Sequence, residues 1–311
     1  MWKWLVRIIG GIVAVLVLAV LVSVGLYVRW AAGHERDLRN DSRLVQTARG
    51  PIEYAEMGRG PAVLISHGTP GGYDGQLAVL RLTYPDHGSF RYILPSRPGY
   101  LRTPIEVGRS PQEQADAFAS LLDALKINRT AIVAQSGGGP AAVQFALRHP
   151  ERCAALVLEA ALIRNYRGPP PQVPSTFAGH LRDLLLYVFQ NAGIAPYQAR
   201  NPRDPLITAL ARAELYGVIP YDLRRAGTEN DLVQEQRLDG WPLRQITCPT
   251  LILQGALDES VPPADSRFAH AQIAGSELVE LAGEDHMMSF TAHRRVDQLI
   301  TAFLRAHPAI P

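Results

Sequence analysis

The chain has 311 residues, of which 47% are hydrophobic, and its formal net charge at pH 7 is +2. This length and composition allow one large globular domain with an additional segment. Residues 1–30 contribute +3 of the charge, which leaves −1 (2 minus 3) for the remainder. This balance argues against nucleic-acid binding.

An uncharged apolar segment, Ile8–Val28, dominates the amino-terminal region. As a helix it would span about 31 Å, roughly the hydrocarbon thickness of a bilayer. Aromatic residues of the kind found at membrane interfaces flank it on both sides: Trp2, Trp4, Tyr27 and Trp30. We therefore expect residues 1–30 to form an uncleaved, single-pass membrane anchor.

A cleaved signal peptide is the alternative for this segment. Its apolar core is longer than the usual length of about 7–15 residues, and Ser23-Val24-Gly25 is a poor cleavage site. Basic residues lie before the span (Lys3, Arg7) and after it (Arg29), so the charges leave the orientation open. Because a large domain behind a single amino-terminal anchor more often lies outside, we expect the domain to be extracytoplasmic.

Strand and helix patterns alternate after a charged linker, residues 31–43. Leu44–Thr47 and Ile52–Met57 predict a hairpin around Gly50-Pro51. Further strands are predicted at Ala62–Ser66, Tyr92–Leu94, the apolar run from Thr130, Cys153–Leu158, Thr250–Gln254 and Glu277–Leu281. Helices are predicted at Gln76–Leu82, after the capping box of Ser110 and Glu113, and at Ala141–Arg148, Ala264–Ala271 and Arg294–Ala306. The alternation predicts an α/β fold with a mainly parallel sheet and helices on both faces.

Residues 163–244 interrupt this alternation. The segment opens with the proline-rich run Pro169-Pro170-Pro171 and then contains helix-like stretches, His180–Gln190 and Ile207–Tyr216. An insertion between two core strands, over the carboxyl ends of the sheet, predicts a helical cap. The core domain would then comprise residues 44–162 and 245–311.

Ser136 lies between the strand that begins at Thr130 and the helix Ala141–Arg148, in Ala134-Gln135-Ser136-Gly137-Gly138-Gly139-Pro140. A serine at a tight strand-to-helix turn between very small residues is typical of a nucleophile elbow. Ala134 stands where the pattern Gly-x-Ser-x-Gly has its first glycine. Taken alone, the run is also compatible with an ordinary loop or a phosphate-binding turn.

A serine nucleophile needs a base, and the base needs an orienting acid. In this architecture the expected chain order is serine, acid, histidine. Asp258 follows the strand Thr250–Gln254, and His286 follows the last strand, so we predict Asp258 as the acid and His286 as the base. Glu159 and Asp285 are the rival acids.

The glycine-rich run His67-Gly68-Thr69-Pro70-Gly71 follows the strand Ala62–Ser66. Acyl transfer requires two donors that point at the developing oxyanion. We expect the backbone N–H groups of Thr69 and Gly137 to be this pair.

Cys153 and Cys248 are the two cysteines, and each precedes an apolar strand. No cluster of cysteine and histidine accompanies them, which argues against a zinc site. We expect two buried free thiols at neighbouring strand starts in preference to a disulfide.

Together these segments resemble the α/β-hydrolase fold superfamily, over about residues 44–305. The loops His67–Gly71 and Arg97-Pro98-Gly99-Tyr100, the elbow, and Cys248–Gly255 before Leu257-Asp258 are similar to the capped serine esterase and proline-iminopeptidase-like branch. The resemblance implies an eight-stranded, mostly parallel sheet with a helical cap. It also implies Ser136, His286 and Asp258 as a catalytic triad that acts on a small-molecule ester or amide without cofactor or metal.

Hydrolysis of a carboxylic ester through an acyl-enzyme is the predicted function. Proline iminopeptidases are an alternative. They resemble this chain in the loop, although they have glycine at the position of Thr69, and their elbow usually has tryptophan at the position of Gly137. Such an enzyme would also need an acidic residue to bind the substrate amine, and Glu214 or Glu229 could do so. Carbon–carbon bond hydrolases share the triad and stay open. Haloalkane dehalogenases and epoxide hydrolases use an aspartate nucleophile and are disfavoured. The complete set of triad residues also disfavours a non-catalytic binding protein.

Overall fold

Eight strands form one sheet in the computed structural model, which describes residues 1–84, 89–168 and 174–309. They are β1 (Arg43–Thr47), β2 (Gly50–Met57), β3 (Ala62–Ser66), β4 (Arg91–Pro95), β5 (Thr130–Gln135), β6 (Cys153–Glu159), β7 (Thr250–Gly255) and β8 (Glu277–Leu281). Their order is β1-β2-β4-β3-β5-β6-β7-β8, in which β2 is antiparallel to both neighbours and β3 to β8 run parallel. The predicted α/β class and eight-stranded, mostly parallel sheet are confirmed.

Helices cover both faces of this sheet. The helices of the described chain are α1 (Trp2–Asp41), α2 (Tyr73–Thr83), α3 (Pro111–Ala124), α4 (Gly139–Arg148), α5 (Thr176–Val188), α6 (Gln190–Arg200), α7 (Pro205–Val218), α8 (Arg225–Gln234), α9 (Pro263–Gln272), α10 (Met288–Thr291) and α11 (His293–Ala306). Strand residues alternate between two apolar cores: Ile132 packs with Phe118 and Phe145, whereas Val133 packs with Leu77 and Phe303. Both faces of the central strands are therefore buried, as continuous apolar runs predict.

Helix α1 is longer than the predicted anchor. Residues 31–41, expected to be a linker, continue the helix to Asp41, and Leu38 is buried against the domain, where its carbonyl accepts a hydrogen bond from Tyr73. The apolar part of α1 is exposed along its length and has a mean hydropathy of 2.9. Within the described part of the chain, α1 is the one helix long and apolar enough to cross a membrane.

The insertion between β6 and β7 contains α5, α6, α7 and α8, of which α6 and α8 were not predicted. Helix α7 packs against α2, where Gly75 and Gly217 allow close backbone approach: a Cβ atom at Gly217 would lie 2.8 Å from Gly75 Cα. The proline run Pro169-Pro170-Pro171 lies outside the described residues.

The predicted capping box of α3 is present. Ser110 Oγ accepts a hydrogen bond from Glu113 N–H, and the Glu113 carboxylate accepts one from Ser110 N–H.

Cys153 and Cys248 are buried free thiols at the starts of neighbouring strands, and their sulfur atoms lie 3.5 Å apart.

Candidate active site

Ser136 occupies the sharp turn between β5 and α4, with a backbone φ of +48°. This conformation is strained for a residue with a side chain, and such strain concentrates at functional turns. Two of the residues that follow Ser136, Gly138 and Gly139, must be glycines because other backbone segments lie against them. A Cβ atom at Gly138 would lie 2.2 Å from the Ser66 carbonyl oxygen, and one at Gly139 would lie 2.5 Å from that of Leu162.

His286 connects the serine to an acid. Its Nε2 lies 3.0 Å from Ser136 Oγ, and its Nδ1 lies 2.8 Å from Asp258 Oδ2. Because an ionised carboxylate only accepts hydrogen bonds, this arrangement has Nδ1–H donating to Asp258 and Nε2 accepting from the serine hydroxyl. In that tautomer the imidazole can take the proton of Ser136.

Asp258 is buried at 4% exposure in the turn that follows β7. Its carboxylate accepts hydrogen bonds from the backbone N–H groups of Ser260 (2.9 Å) and Val261 (2.8 Å) and from the Gln254 amide (2.9 Å), in addition to the imidazole. Burial opposes ionisation, but the hydrogen bonds, with His286 first among them, outweigh it and hold the Asp258 pKa below its ordinary value. The acid is therefore charged and fixed in orientation.

The carboxylates of the two rival acids have other partners. Glu159, at the end of β6, accepts a hydrogen bond from Ser289, and burial raises its pKa to about 7. The Asp285 carboxylate points to the surface and pairs with Arg200 at 2.8 Å. The structure thus brings Asp258, and neither rival, into hydrogen-bonding contact with His286.

The loop after β3 reaches the serine directly, since β3 and β5 are neighbours at the point where the strand order reverses. A Cβ atom at Gly68 would lie 3.3 Å from Ser136 Cβ, and one at Gly137 would lie 2.2 Å from Thr69 Oγ1. Thr69 and Gly137, the predicted oxyanion donors, are consequently in contact beside the nucleophile.

A buried polar network holds Thr69 in this position. Asp231, on α8 of the insertion, accepts hydrogen bonds from the Thr69 hydroxyl (2.6 Å), the Tyr100 hydroxyl (2.6 Å) and the Arg97 guanidinium (2.6 and 3.1 Å). Arg97 and Asp231 are almost fully buried, at 1% and 3% exposure. The sequence motif at residues 97–100 indicated part of this network, whereas nothing in the sequence singled out Asp231.

His67, at the start of the same loop, is a structural histidine. Its Nε2 accepts a hydrogen bond from the Arg97 backbone N–H, and its Nδ1 donates to the Gly68 carbonyl. Burial, reinforced by the Arg97 charge, holds the His67 pKa well below its ordinary value. It stays neutral and stabilises the loop.

Three glutamates of the insertion have different surroundings. Glu235 is buried beside Thr69 and Gly137, and its Oε1 has no hydrogen-bond partner among the residues that the structure describes. Burial and the neighbouring Asp231 raise the Glu235 pKa to about 7. Burial also raises the pKa of Glu214 to about 7. Glu229 pairs with Arg225 on the surface. Glu235 is thus an acidic neighbour of Thr69 and Gly137 that the sequence did not reveal.

Residues 61–292 match the family of the alpha/beta hydrolase fold. The chain belongs to this family. A 2-hydroxy-6-oxo-6-phenylhexa-2,4-dienoate hydrolase of Comamonas testosteroni is 36% identical over 225 residues, which are 68% of this chain and 76% of the relative. The predicted resemblance to the α/β-hydrolase fold superfamily is confirmed, and the narrower branch within it stays a prediction.

Solved structures of the family support the same assignment. An alpha/beta hydrolase fold protein from Nakamurella multipartita shares 33% identity with a TM-score of 0.75, covering 85% of this chain and 99% of that one. A thermophilic esterase from Thermogutta terrifontis aligns with a TM-score of 0.62 at 22% identity, covering 86% of this chain and 99% of that one. At that identity the likeness establishes the fold.

A cavity of about 610 Å³ lies beside the candidate site of this hydrolase. Helices α5, α6 and α7 form most of it, and Met287, which directly follows His286, closes one side. Apolar side chains dominate its lining: Leu185, Leu186, Phe189, Ile194, Tyr197, Leu215, Val218 and Met287. Arg182 and Glu214 are its charged members. The insertion therefore supplies an apolar compartment next to the histidine.

Proposed function

We propose that this alpha/beta hydrolase cleaves a carboxylic ester through an acyl-enzyme on Ser136, with His286 as base and Asp258 as orienting acid. The observation that carries the proposal is the continuous hydrogen-bonded chain from Ser136 Oγ through His286 to Asp258, at 3.0 and 2.8 Å. These distances are within the range that proton transfer requires. The buried carboxylate would stabilise the imidazolium that forms.

The reaction would proceed in two acyl transfers. As Ser136 Oγ bonds to the ester carbonyl carbon, His286 Nε2 accepts the serine proton, and the backbone N–H groups of Thr69 and Gly137 stabilise the oxyanion. The imidazolium then gives its proton to the departing alkoxide, which leaves as the alcohol. Water, deprotonated by His286, attacks the acyl-enzyme, and collapse of the second tetrahedral intermediate releases the acid and returns the proton to Ser136.

The surroundings of the serine favour an ester over the free amine of an aminopeptidase substrate. Glu229, one of the two residues expected to bind such an amine, pairs with Arg225 on the surface. Glu214 lines the cavity, but burial raises its pKa to about 7, so it carries only part of a charge at neutral pH. The apolar lining of the cavity suits an acyl chain better than a cation.

Hydrolysis of a carbon–carbon bond is the second candidate, because the Comamonas relative is named for a dienoate substrate and is 36% identical. Such a substrate carries a carboxylate, and Arg182 is the cation that lines the cavity. Comparing kcat/KM for p-nitrophenyl butyrate with that for a 2-hydroxy-6-oxo dienoate separates the two candidates. Turnover of the dienoate alone would replace the ester proposal.

Replacement of the nucleophile tests the mechanism. We expect Ser136→Ala to lower kcat for p-nitrophenyl butyrate by about 10⁴-fold or more and to abolish labelling by a fluorophosphonate probe. Ser276→Ala, before β8 and away from the elbow, is the matched control and should keep wild-type kinetics. Full activity of Ser136→Ala would refute the assignment.

We also infer that α1 anchors the enzyme in a membrane, with residues 163–244 serving as the cap and the catalytic domain outside the cytoplasm. The support for the anchor is that α1 is uncharged from Ile8 to Val28 and that its apolar residues there, apart from the buried Tyr27, are exposed. Exposure of such an apolar surface to water is unfavourable in free energy, whereas its exposure to the hydrocarbon of a bilayer is not. Alkaline carbonate washing should leave the full chain in the membrane pellet, and its release would contradict the anchor.

A further inference from the structure

Helix α5 exposes an apolar face. Phe177, Leu181, Leu185 and Val188 are spaced four, four and three residues apart, so they share one side of the helix, and Phe189 follows them. All five are exposed, Phe177 at 78% and Phe189 at 60%. A soluble domain rarely leaves a contiguous apolar stripe of this kind in water, which indicates that something covers it.

The same helix lies alongside the carboxyl end of the apolar span of α1. The Tyr187 ring is 5.7 Å from the Tyr27 ring and 5.1 Å from the Trp30 ring, measured between centroids. A cavity of about 580 Å³ lies between the two helices. Apolar residues of both helices line it (Val24, Val28, Phe177, Leu181 and Leu184), and Glu35, His180 and Asp222 also line it. The exposed face of α5 is therefore continuous with the apolar surface of the span.

This continuity sets the depth of α5. The uncharged span ends at Val28, and Arg29 follows it. A helix that packs beside residues 24–30 lies at the boundary between hydrocarbon and headgroups, wherever the span crosses the bilayer. At this boundary an apolar helix face can be buried about 5–10 Å deep. The bilayer that holds α1 is thus the occupant that covers α5.

The apolar face also borders the cavity beside the candidate site. Leu185 and Phe189 belong both to the exposed face of α5 and to the lining of the 610 Å³ cavity, which Met287 also lines. A molecule that leaves the bilayer at Leu185 and Phe189 would enter a compartment that ends next to His286. That path keeps an acyl chain in mostly apolar surroundings, with Arg182 and Glu214 as the charged residues beside it.

We propose that α5 lies in the membrane interface and that the enzyme takes its ester from the bilayer: an amphiphile with a long acyl chain that enters between Leu185 and Phe189. The substrate assignment rests on the ester hydrolysis proposed above. The placement of α5 does not depend on ester hydrolysis: it rests on the membrane anchor proposed above for α1, together with the α1–α5 contacts and the exposed face of α5.

Depth measurements on the full chain in phosphatidylcholine vesicles test the placement. Bimane is attached to Phe177→Cys, to Leu16→Cys as the deep reference within α1, and to Phe268→Cys as the matched control, an exposed phenylalanine on α9. We expect nitroxide-labelled lipids to quench the label at 177 strongly and the label at 268 weakly. Equal, weak quenching at 177 and 268 would overturn the placement.

Kinetics test the route. In the same vesicles the exposed-face variant Phe177→Gln/Leu181→Gln is compared with wild type on a bilayer-dissolved palmitoyl ester and on water-soluble p-nitrophenyl acetate. Both residues lie outside the lining of the 610 Å³ cavity. We therefore expect kcat/KM for the palmitoyl ester to fall about tenfold and that for the acetate to stay within about twofold.

Each kinetic outcome has one meaning. An equal effect on both esters, or none on either, would overturn the membrane route while leaving ester hydrolysis intact. Inactivity of the wild type on both esters would overturn ester hydrolysis and the substrate assignment with it, whereas the quenching result would still decide where α5 lies.

Discussion

Asp258 differs from the other acids near His286 in its hydrogen bonds. Two backbone N–H groups and the Gln254 amide fix its carboxylate, so one oxygen is left aimed at the imidazole. Glu159 is also close to the histidine, but Ser289 takes up its carboxyl group, and burial keeps it largely protonated below pH 7. An orienting acid must be ionised and fixed, and Asp258 satisfies both conditions.

Replacement of each acid by its amide separates the two. Asp258→Asn keeps the shape but favours the wrong imidazole tautomer, so we expect kcat for p-nitrophenyl butyrate to fall about 10³–10⁴-fold. Glu159→Gln is the matched control and should stay within about threefold, because its amide oxygen can still accept from Ser289. The opposite pattern would make Glu159 the acid.

The sequence could supply the residue types and their order, but not which carboxylate contacts the histidine. Strand ends placed Ser136, Asp258 and His286 at one edge of the sheet, since parallel strands all finish there. The sequence did not reveal Asp231 and Glu235 because they lie in the insertion, whose described residues contain no strand with an end that would place them at the site. Only the folded chain brings α8 over the loop that contains Thr69.

At the scale of elements, α8 and the loop after β3 behave as one unit. Asp231 is the shared partner of Thr69, Tyr100 and Arg97, and it neutralises a guanidinium that is almost fully buried. Leaving a buried charge without its partner costs about 3–5 kcal/mol. The position of the proposed oxyanion donor at Thr69 therefore depends on a helix of the insertion.

Asp231→Asn breaks the charge pairing while keeping the shape. We expect it to lower kcat about 10–100-fold with a smaller change in KM, because the Thr69 N–H shifts relative to the oxyanion. Thermal unfolding measured in parallel should show a lower Tm. Glu229→Gln, on the same helix but exposed and paired only with Arg225, is the control and should change neither quantity. Lost stability with unchanged kcat would give Asp231 a structural role alone.

Sequence patterns predicted helices well where apolar residues recur and poorly where they do not. Helix α8 (Arg225–Gln234) is polar with Gly227 near its start, and α6 contains Pro196, so neither shows an apolar stripe. The extension of α1 beyond Trp30 is highly charged, which indicated a linker. It forms a helix because Leu38 is buried against the domain. The helix ends at Asp41, and the hydroxyl of the next residue, Ser42, donates a hydrogen bond to the Leu38 carbonyl.

For the whole molecule, buried carboxyls whose pKa values are raised make stability depend on pH, and three glutamates are among them. Burial raises the pKa values of Glu159, Glu214 and Glu235 from 4.5 to about 7. Between these values the folded protein holds protons that the unfolded chain releases, so the free energy of unfolding falls as pH rises from about 4.5 to 7 and then levels off. Asp258 and His67, whose pKa values are lowered, act oppositely: their contributions are present above their ordinary pKa values and are lost as pH falls, and we expect the raised carboxyls to outweigh them between pH 5 and pH 8.

We expect the Tm of the full chain in detergent to be lower at pH 8 than at pH 5. Glu159→Gln removes one of these raised groups, so its Tm should decrease less over that interval, by about 2–4 °C for each kcal/mol of penalty relieved. At pH 4.5 the variant and the wild type should unfold at similar temperatures. A wild-type Tm that rises from pH 5 to pH 8 would contradict the assignment of these pKa values.

The ion pair of Arg97 and Asp231 also bears on how such enzymes can diversify. One partner belongs to the core and the other to the insertion, so a graft of residues 163–244 onto a different core would bring an aspartate that finds no arginine, or leave an arginine without its aspartate. Exchange of substrate preference by recombination would then succeed only between parents that share this pair. The Arg97–Asp231 pair therefore limits which insertions can be combined with which cores.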